Sequence, residues 1–212
     1  MTTGEGRLAR AWQTQSLLLG YPDELLLRRL DLLTRVVTTL DDPVGAPLRC
    51  FLDRLRRTPL DQAAADYVAT FDHRKHCCPY LTYYAHGDTR RRGMALLRLK
   101  QTYAADGLEL VDDELPDHLA VMLEYAAIRP DTGRTLLIEH RAGLELLRIA
   151  LRDTGSAWAD VLNSVSATLP PLGGDERDAV ARLAAAGPPE EHVGLAPFAP
   201  PDHLPEPQGA RR

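Results

Sequence analysis

Cysteine is scarce and oddly placed: three in 212 residues, Cys50, Cys77 and Cys78, the last two adjacent. An odd number with a neighbouring pair supplies no disulfide framework of the secreted kind, so free thiols are expected. No stretch approaches the roughly 18 uninterrupted apolar residues that a membrane-spanning helix needs. The opening "MTTGEGRLARAWQTQ" lacks the cationic start and apolar run of a secretory signal. The expected location is cytoplasmic, with no direct membrane insertion. An excess of Lys and Arg is missing too. The formal net charge is −5, whereas general nucleic-acid affinity rests on neutralising phosphates, so no nucleic-acid partner is expected. There is no convincing period-two alternation and no repeat of fixed length, which leaves no ground for strands or a solenoid.

What is present is helical periodicity. Leu8, Trp12, Gln15 and Leu19 fall near one face, widened by Ala11 and Leu18, and Gly20 stands where a left-handed cap belongs. Pro22 is expected in the first turn of the next helix, which carries Leu26, Leu30, Leu33 and Val37 at spacings of four, three and four. A third stripe runs through Leu48, Phe51, Leu52 and Leu55. In "TPLD", Thr58 offers an N-cap and Pro59 the first position of a helix that includes Tyr67 and Phe71 on one core face. "YLTYYAHGDTRRRG", Tyr80 to Gly93, reads as a helix, a sharp turn at Gly87 and the start of a second helix running to about Ala105 and ended by Gly107. "DELPDHLAVMLEYAA" predicts a helix with Pro116 in its first turn. Thr132 to about Asp153 predicts one long helix closed by Gly155, followed by helices over 157–167 and 176–186. The expected fold is all-α, a single bundle of about nine helices over residues 1–187. Residues 188–212 hold seven prolines and few large apolar side chains, and are expected as an irregular Pro-rich tail.

Three features could carry chemistry. "DHRKHCCPY" gathers His73, His76, Cys77 and Cys78, with His86 nearby, but no second Cys or His pair completes a zinc pattern, so no metal site is expected. "GDTRRRG" lacks the Walker spacing of glycines before Lys and Ser or Thr, and its arginines read as helix surface. The third feature is a charge asymmetry. Residues 106–124 hold seven carboxylates and no Lys or Arg, while residues 72–100 hold seven cations against two acids. The bands either face each other or are solvated, or the acidic one, with Asp117 and His118 in it, receives a basic peptide.

The succession "YVATFD", "YLTYYAHGDTRRRGMALL", "QTYAADGLEL" and "ELPDHLAVMLEYAA", in this order along the chain, resembles the nitrate reductase molybdenum cofactor assembly chaperones. These are the NarJ or delta-subunit type, within the TorD and DmsD class of maturation chaperones. The resemblance runs from about Ala11 to Phe198. It implies a helical bundle that is not an enzyme and carries no catalytic residues, metal or cofactor of its own. It also implies a partner, the molybdenum-containing catalytic subunit of nitrate reductase, held by its N-terminal leader or leader remnant while the molybdenum cofactor is inserted. Carried over by motif, Glu114, Pro116, Asp117 and His118 match the acidic-Pro-Asp-His element associated with peptide binding, and Tyr83 and Tyr84 are expected on the same peptide-handling surface. Tyr125 departs from the Phe frequent in nitrate reductase members, and Cys77, Cys78 and Pro79 form an unusual run. Other readings are a chaperone for a sulfoxide or N-oxide reductase, a helical adaptor, or a small metal-dependent enzyme using Asp117 and His118 as an acid–base pair.

Overall fold

The computed structural model describes residues 3–111 and 114–187. The expected tail, 188–212, lies outside the described residues. Eleven α-helices and one short 3-10 turn occur among the described residues, with no strand. They are α1 (Thr3–Leu19), α2 (Glu24–Val37), α3 (Gly45–Arg57), α4 (Leu60–Phe71), the 3-10 turn Lys75–Cys77, α5 (Leu81–His86), α6 (Arg90–Ala105), α7 (Leu119–Ile128), α8 (Pro130–Glu139), α9 (Arg141–Asp153), α10 (Trp158–Ala167) and α11 (Gly174–Ala186).

The apolar stripes decide the packing. α7, "LAVMLEYAAI", is apolar nearly all round, as a helix in the middle of a bundle must be. α1 lies along it, and α8 folds back on it at once because Pro130 opens α8 one residue after the α7 cap Arg129. α10 packs between α3, α9 and α1. Its Trp158 is the hub of an aromatic cluster, with Phe51, Tyr67 and Phe71 at ring-centroid distances of 5.7, 5.5 and 5.5 Å. The indole N–H donates to the carbonyl of Leu18 at 3.1 Å. Tyr67 and Phe71 share the core face expected of them, 4.7 Å apart. A buried amide on α1 reaches the same helix: Gln15 Nε2 donates to Ser164 Oγ at 2.8 Å.

Several boundaries differ from the sequence expectation. Gly20 does not take up a left-handed conformation, whereas Gly87, Gly107 and Gly155 do. Pro22 lies ahead of α2, whose cap is Asp23, accepting from Leu26 N at 2.7 Å. Thr58 closes α3 instead of opening α4: its hydroxyl donates to the Arg54 carbonyl at 3.0 Å. The long helix over 132–153 is two helices broken at His140, whose φ of −99° and ψ of 16° leave the helical region. The break lets α8 stay on α7 while α9 packs on α5, α10 and α11, although the apolar period runs through it uninterrupted.

Candidate functional site

Pro116 does not open a helix. Residues 115–118 form a turn, in which His118 N donates to the Leu115 carbonyl at 3.1 Å, and α7 begins only at Leu119. At His118, with φ −64° and ψ 127°, the chain entering α7 is extended and pairs with the chain entering α5. Leu81 N donates to Asp117 O, and Leu119 N to Pro79 O, both at 2.9 Å, making an isolated antiparallel bridge between Tyr80 and His118. The Asp–His pair is divided: His118 faces outward onto the groove with Tyr80, whereas Asp117, like Leu81 and Leu119, is buried on the inward side.

On the outward side, the His118 ring meets Tyr80 edge-to-face at 5.2 Å. Its Nδ1 caps α7 by accepting from Ala120 N at 3.2 Å. Burial lowers the His118 pKa below the ordinary 6.5, opposed by the negative charge of Asp117. Nδ1 is therefore an unprotonated acceptor, and Nε2 carries the ring proton. His118 and Tyr80 line a groove of about 420 Å³ between α1, α2 and α7, with Tyr21, Leu25, Tyr67, Leu115 and Val121 on its walls and Asp23, Arg29, Glu114 and Glu124 at its polar positions. An adjoining hollow of about 320 Å³ shares Glu114, Val121 and Glu124, and adds Glu109, Val111, Tyr103, Tyr125 and Ile128. Tyr67 donates to the Leu19 carbonyl at 3.1 Å, and burial, then the charge of Asp72, push its hydroxyl up to about 12, so it is neutral.

On the inward side, Asp117 has no exposed surface. Its Oδ2 accepts from the Thr82 hydroxyl and stands 3.5 Å from Arg92 Nη2. Arg92 also reaches Asp88 at 3.0 Å and lies 5.6 Å from the centre of the Tyr80 ring. The acidic and basic bands thus meet where Arg92 approaches Asp117, while Glu114 and Glu124 face the groove.

Of the six residues expected on a peptide surface, the structure brings Glu114 and His118 together and separates the other four from them. Pro116 is buried, its carbonyl accepting from the Tyr103 hydroxyl at 2.8 Å. Asp117 lies behind the bridge. Tyr84 is buried on α5, its hydroxyl donating to the carbonyls of His76 and Cys78 at 2.9 and 3.0 Å, and Tyr83 packs beside it with ring centroids 6.1 Å apart. Neither tyrosine is among the residues lining the groove. Sequence reasoning missed Tyr21 and Leu25. The available signal was Leu25 standing off the Leu26, Leu30, Leu33 and Val37 stripe, which leaves it 43% exposed. Among the described residues, no group of three or more His, Cys, Asp or Glu side chains is placed to hold a metal ion. Cys77 is buried and burial raises its thiol pKa, as it does that of Cys78.

The helical fold resembles that of a solved structure, a putative redox enzyme maturation protein from Archaeoglobus fulgidus. It superposes with a TM-score of 0.54 over 83% of this chain and 93% of that one, at 20% sequence identity, a likeness of fold. The family described as nitrate reductase delta subunit matches residues 38–164, and the chain belongs to it. Similar curated proteins include the nitrate reductase-like protein NarX of Mycobacterium tuberculosis, 37% identical over 74% of this chain and 24% of that protein. The probable nitrate reductase molybdenum cofactor assembly chaperone NarJ of Bacillus subtilis is 31% identical over 74% of this chain and 87% of its own length. The Escherichia coli assembly chaperone NarJ is 36% identical over 55% of this chain and 51% of its own. The chain thus spans about a quarter of the length of the mycobacterial relative and most of the Bacillus one. No helix among the described residues is long and apolar enough to cross a membrane.

Proposed function

We propose that this chain is a cytoplasmic assembly chaperone for the molybdenum-containing catalytic subunit of a respiratory nitrate reductase, and that the groove receives that subunit's N-terminal leader or leader remnant. Family membership and the names of the Bacillus and Escherichia relatives support the client. The observation that carries the binding site is the groove itself. Apolar walls from Tyr21, Leu25, Leu115 and Val121 are bordered by Glu114 and Glu124, a combination suited to an apolar segment carrying Arg or Lys. His118 contributes the donor Nε2–H, and Asp117 acts from behind, holding through Thr82 and Arg92 the bridge that fixes His118 and Tyr80. Binding rather than catalysis is the task we assign to this surface, because the bridge sends the Asp117 and His118 side chains to opposite sides and Nδ1 of His118 is engaged as a helix cap. The chain holds the client before membrane assembly, while the molybdenum cofactor is inserted.

Calorimetric titration with the client's N-terminal peptide tests this reading. Leu25→Asp and Glu114→Lys with Glu124→Lys are each expected to weaken binding at least about tenfold, which needs only about 1.4 kcal/mol. Unchanged affinity in folded variants would remove the groove from the account. Capture of the partner from the native host separates a nitrate reductase subunit from a sulfoxide or N-oxide reductase.

A further inference from the structure

α6 contains no carboxylate: its 16 residues, "RRRGMALLRLKQTYAA", carry five cations, in a chain of formal net charge −5. The buried positions Leu99 and Tyr103 define its inward side. Arg92 lies on that side and is engaged by Asp88 and Asp117. At about 100° per residue the opposite side presents Arg90, Met94, Leu97 and Gln101, bordered by Arg91 and Arg98 on one flank and Lys100 on the other. Met94 and Leu97 are 58% and 47% exposed. Arg91, Arg98 and Lys100 hold no ion pair among the described residues.

A face of two exposed apolar side chains among cations is the complement of the groove and its adjoining hollow, whose apolar walls carry Asp23, Glu109, Glu114 and Glu124 against Arg29 alone among Lys and Arg. One molecule cannot satisfy this complementarity by itself. Tyr103, from the inward side of α6, already forms part of the hollow's wall, so the outward face of the same helix turns away from it. Another copy has no such restriction, and both surfaces are always present at equal concentration.

We propose that a second copy of this chain is a ligand of the groove, with the outward face of its α6 laying Met94 and Leu97 on the apolar wall and Arg91, Arg98 and Lys100 against Glu114 and Glu124. Self-association and client capture then compete for one surface, so that free chaperone is closed and client opens it. The competition rests on the reading of the groove as the client site; the interface between copies does not. Reciprocal exchange closes a two-fold dimer, whereas one-way docking adds copies in an open chain. The rim charges are exposed and screened, so association weakens as salt rises.

Sedimentation equilibrium over a range of concentrations tests the interface. The wild type is expected to rise above the monomer mass of 23.4 kDa at low salt. A cation-reversed chain (Arg91→Glu, Arg98→Glu, Lys100→Glu) and an acid-reversed chain (Glu114→Lys, Glu124→Lys) should each associate at least about tenfold more weakly. Mixed together they should associate again, because the reversed helix of one matches the reversed groove of the other; this rescue also shows that both are folded. A wild type that stays monomeric throughout, or variants that associate as the wild type does, would overturn the interface. The client's N-terminal peptide, added to the wild type, should dissociate the assembly. If the peptide binds a wild type that never associates, this inference falls and the client reading stands. If the copies associate as described and the peptide does not bind, the client reading and the competition fall while the interface stands.

Discussion

The Thr82 hydroxyl donates to the Asp117 carboxylate across the α5–α7 junction, and neither residue exposes any surface to water. Asp117 Oδ1 has no hydrogen-bond partner among the described residues, and Arg92 Nη2 stands 3.5 Å from Oδ2. Removing the hydroxyl leaves a buried carboxylate short of a donor; removing the carboxylate leaves a half-buried guanidinium short of a counter-charge. Thr82→Val is therefore expected to cost about 1–3 kcal/mol, and Asp117→Ala about 3 kcal/mol or more. Urea unfolding followed by circular dichroism measures both. Peptide affinity should fall only as far as the bridge loosens, so a stable, folded Asp117→Ala protein with no affinity would give Asp117 a direct contact instead.

Much of the fold was legible because one rule produced it. Leu26, Leu30, Leu33 and Val37 recur at helical spacing and are all buried, and glycines at 107 and 155 stand where helices end with positive φ. The site was half legible. The Asp-His element was visible, but its division was not, since that depends on a bridge of a single residue pair, Tyr80 with His118, between segments more than thirty residues apart. No local pattern announces such a bridge. The same limit hid the break at His140: Leu136, Leu137, Leu144 and Leu147 keep their spacing across it, and only the competing demands of α7 on α8 and of α5 and α10 on α9 decide that the helix divides.

Two glycines inside helices should answer one substitution with opposite signs. A Cβ at Gly133 would stand 2.5 Å from the Cβ of Ala126, where α8 folds back on α7, and the backbone of Ala126 cannot give way. Gly133→Ala is expected to cost about 1–3 kcal/mol or more by forcing the helices apart. A Cβ at Gly93 on α6 would meet no atom of the described residues within 4 Å. There Gly93→Ala should gain up to about 1 kcal/mol from helix propensity and reduced freedom of the unfolded chain. Thermal unfolding of the pair distinguishes crowding from propensity.

The aromatic hub supports the groove from beneath, because Tyr67 both lines the groove and meets Trp158 edge-to-face. Trp158→Ala should cost about 3–5 kcal/mol through the cavity it leaves. Tyr67→Phe keeps the ring and removes only the bond to the Leu19 carbonyl, an expected loss of about 1 kcal/mol. If Tyr67 serves the groove through its ring, Tyr67→Phe retains peptide affinity and Tyr67→Ala does not; calorimetry on the two variants decides.

His118 makes stability depend on pH with a defined sign. Nδ1 accepts from Ala120 N, so a proton there breaks the α7 cap, and burial holds the folded pKa below the ordinary 6.5. Below about pH 6.5 the unfolded chain binds more protons at this residue than the folded chain. The contribution is therefore complete above that value and is lost as pH falls through the folded pKa. His86 acts in the same direction, its pKa lowered by burial and then by His140, Arg91 and Arg98. The wild type should accordingly lose thermal stability between about pH 7 and pH 5, before the bulk of the carboxylates titrate. His118→Asn keeps a cap acceptor without the titration, and should flatten part of that slope while costing little at neutral pH; His118→Ala should cost about 1 kcal/mol at neutral pH. Adding His86→Gln should flatten the slope further. Melting curves across this range read all three. A His118→Asn protein with the full wild-type slope would show that the α7 cap does not sense the proton.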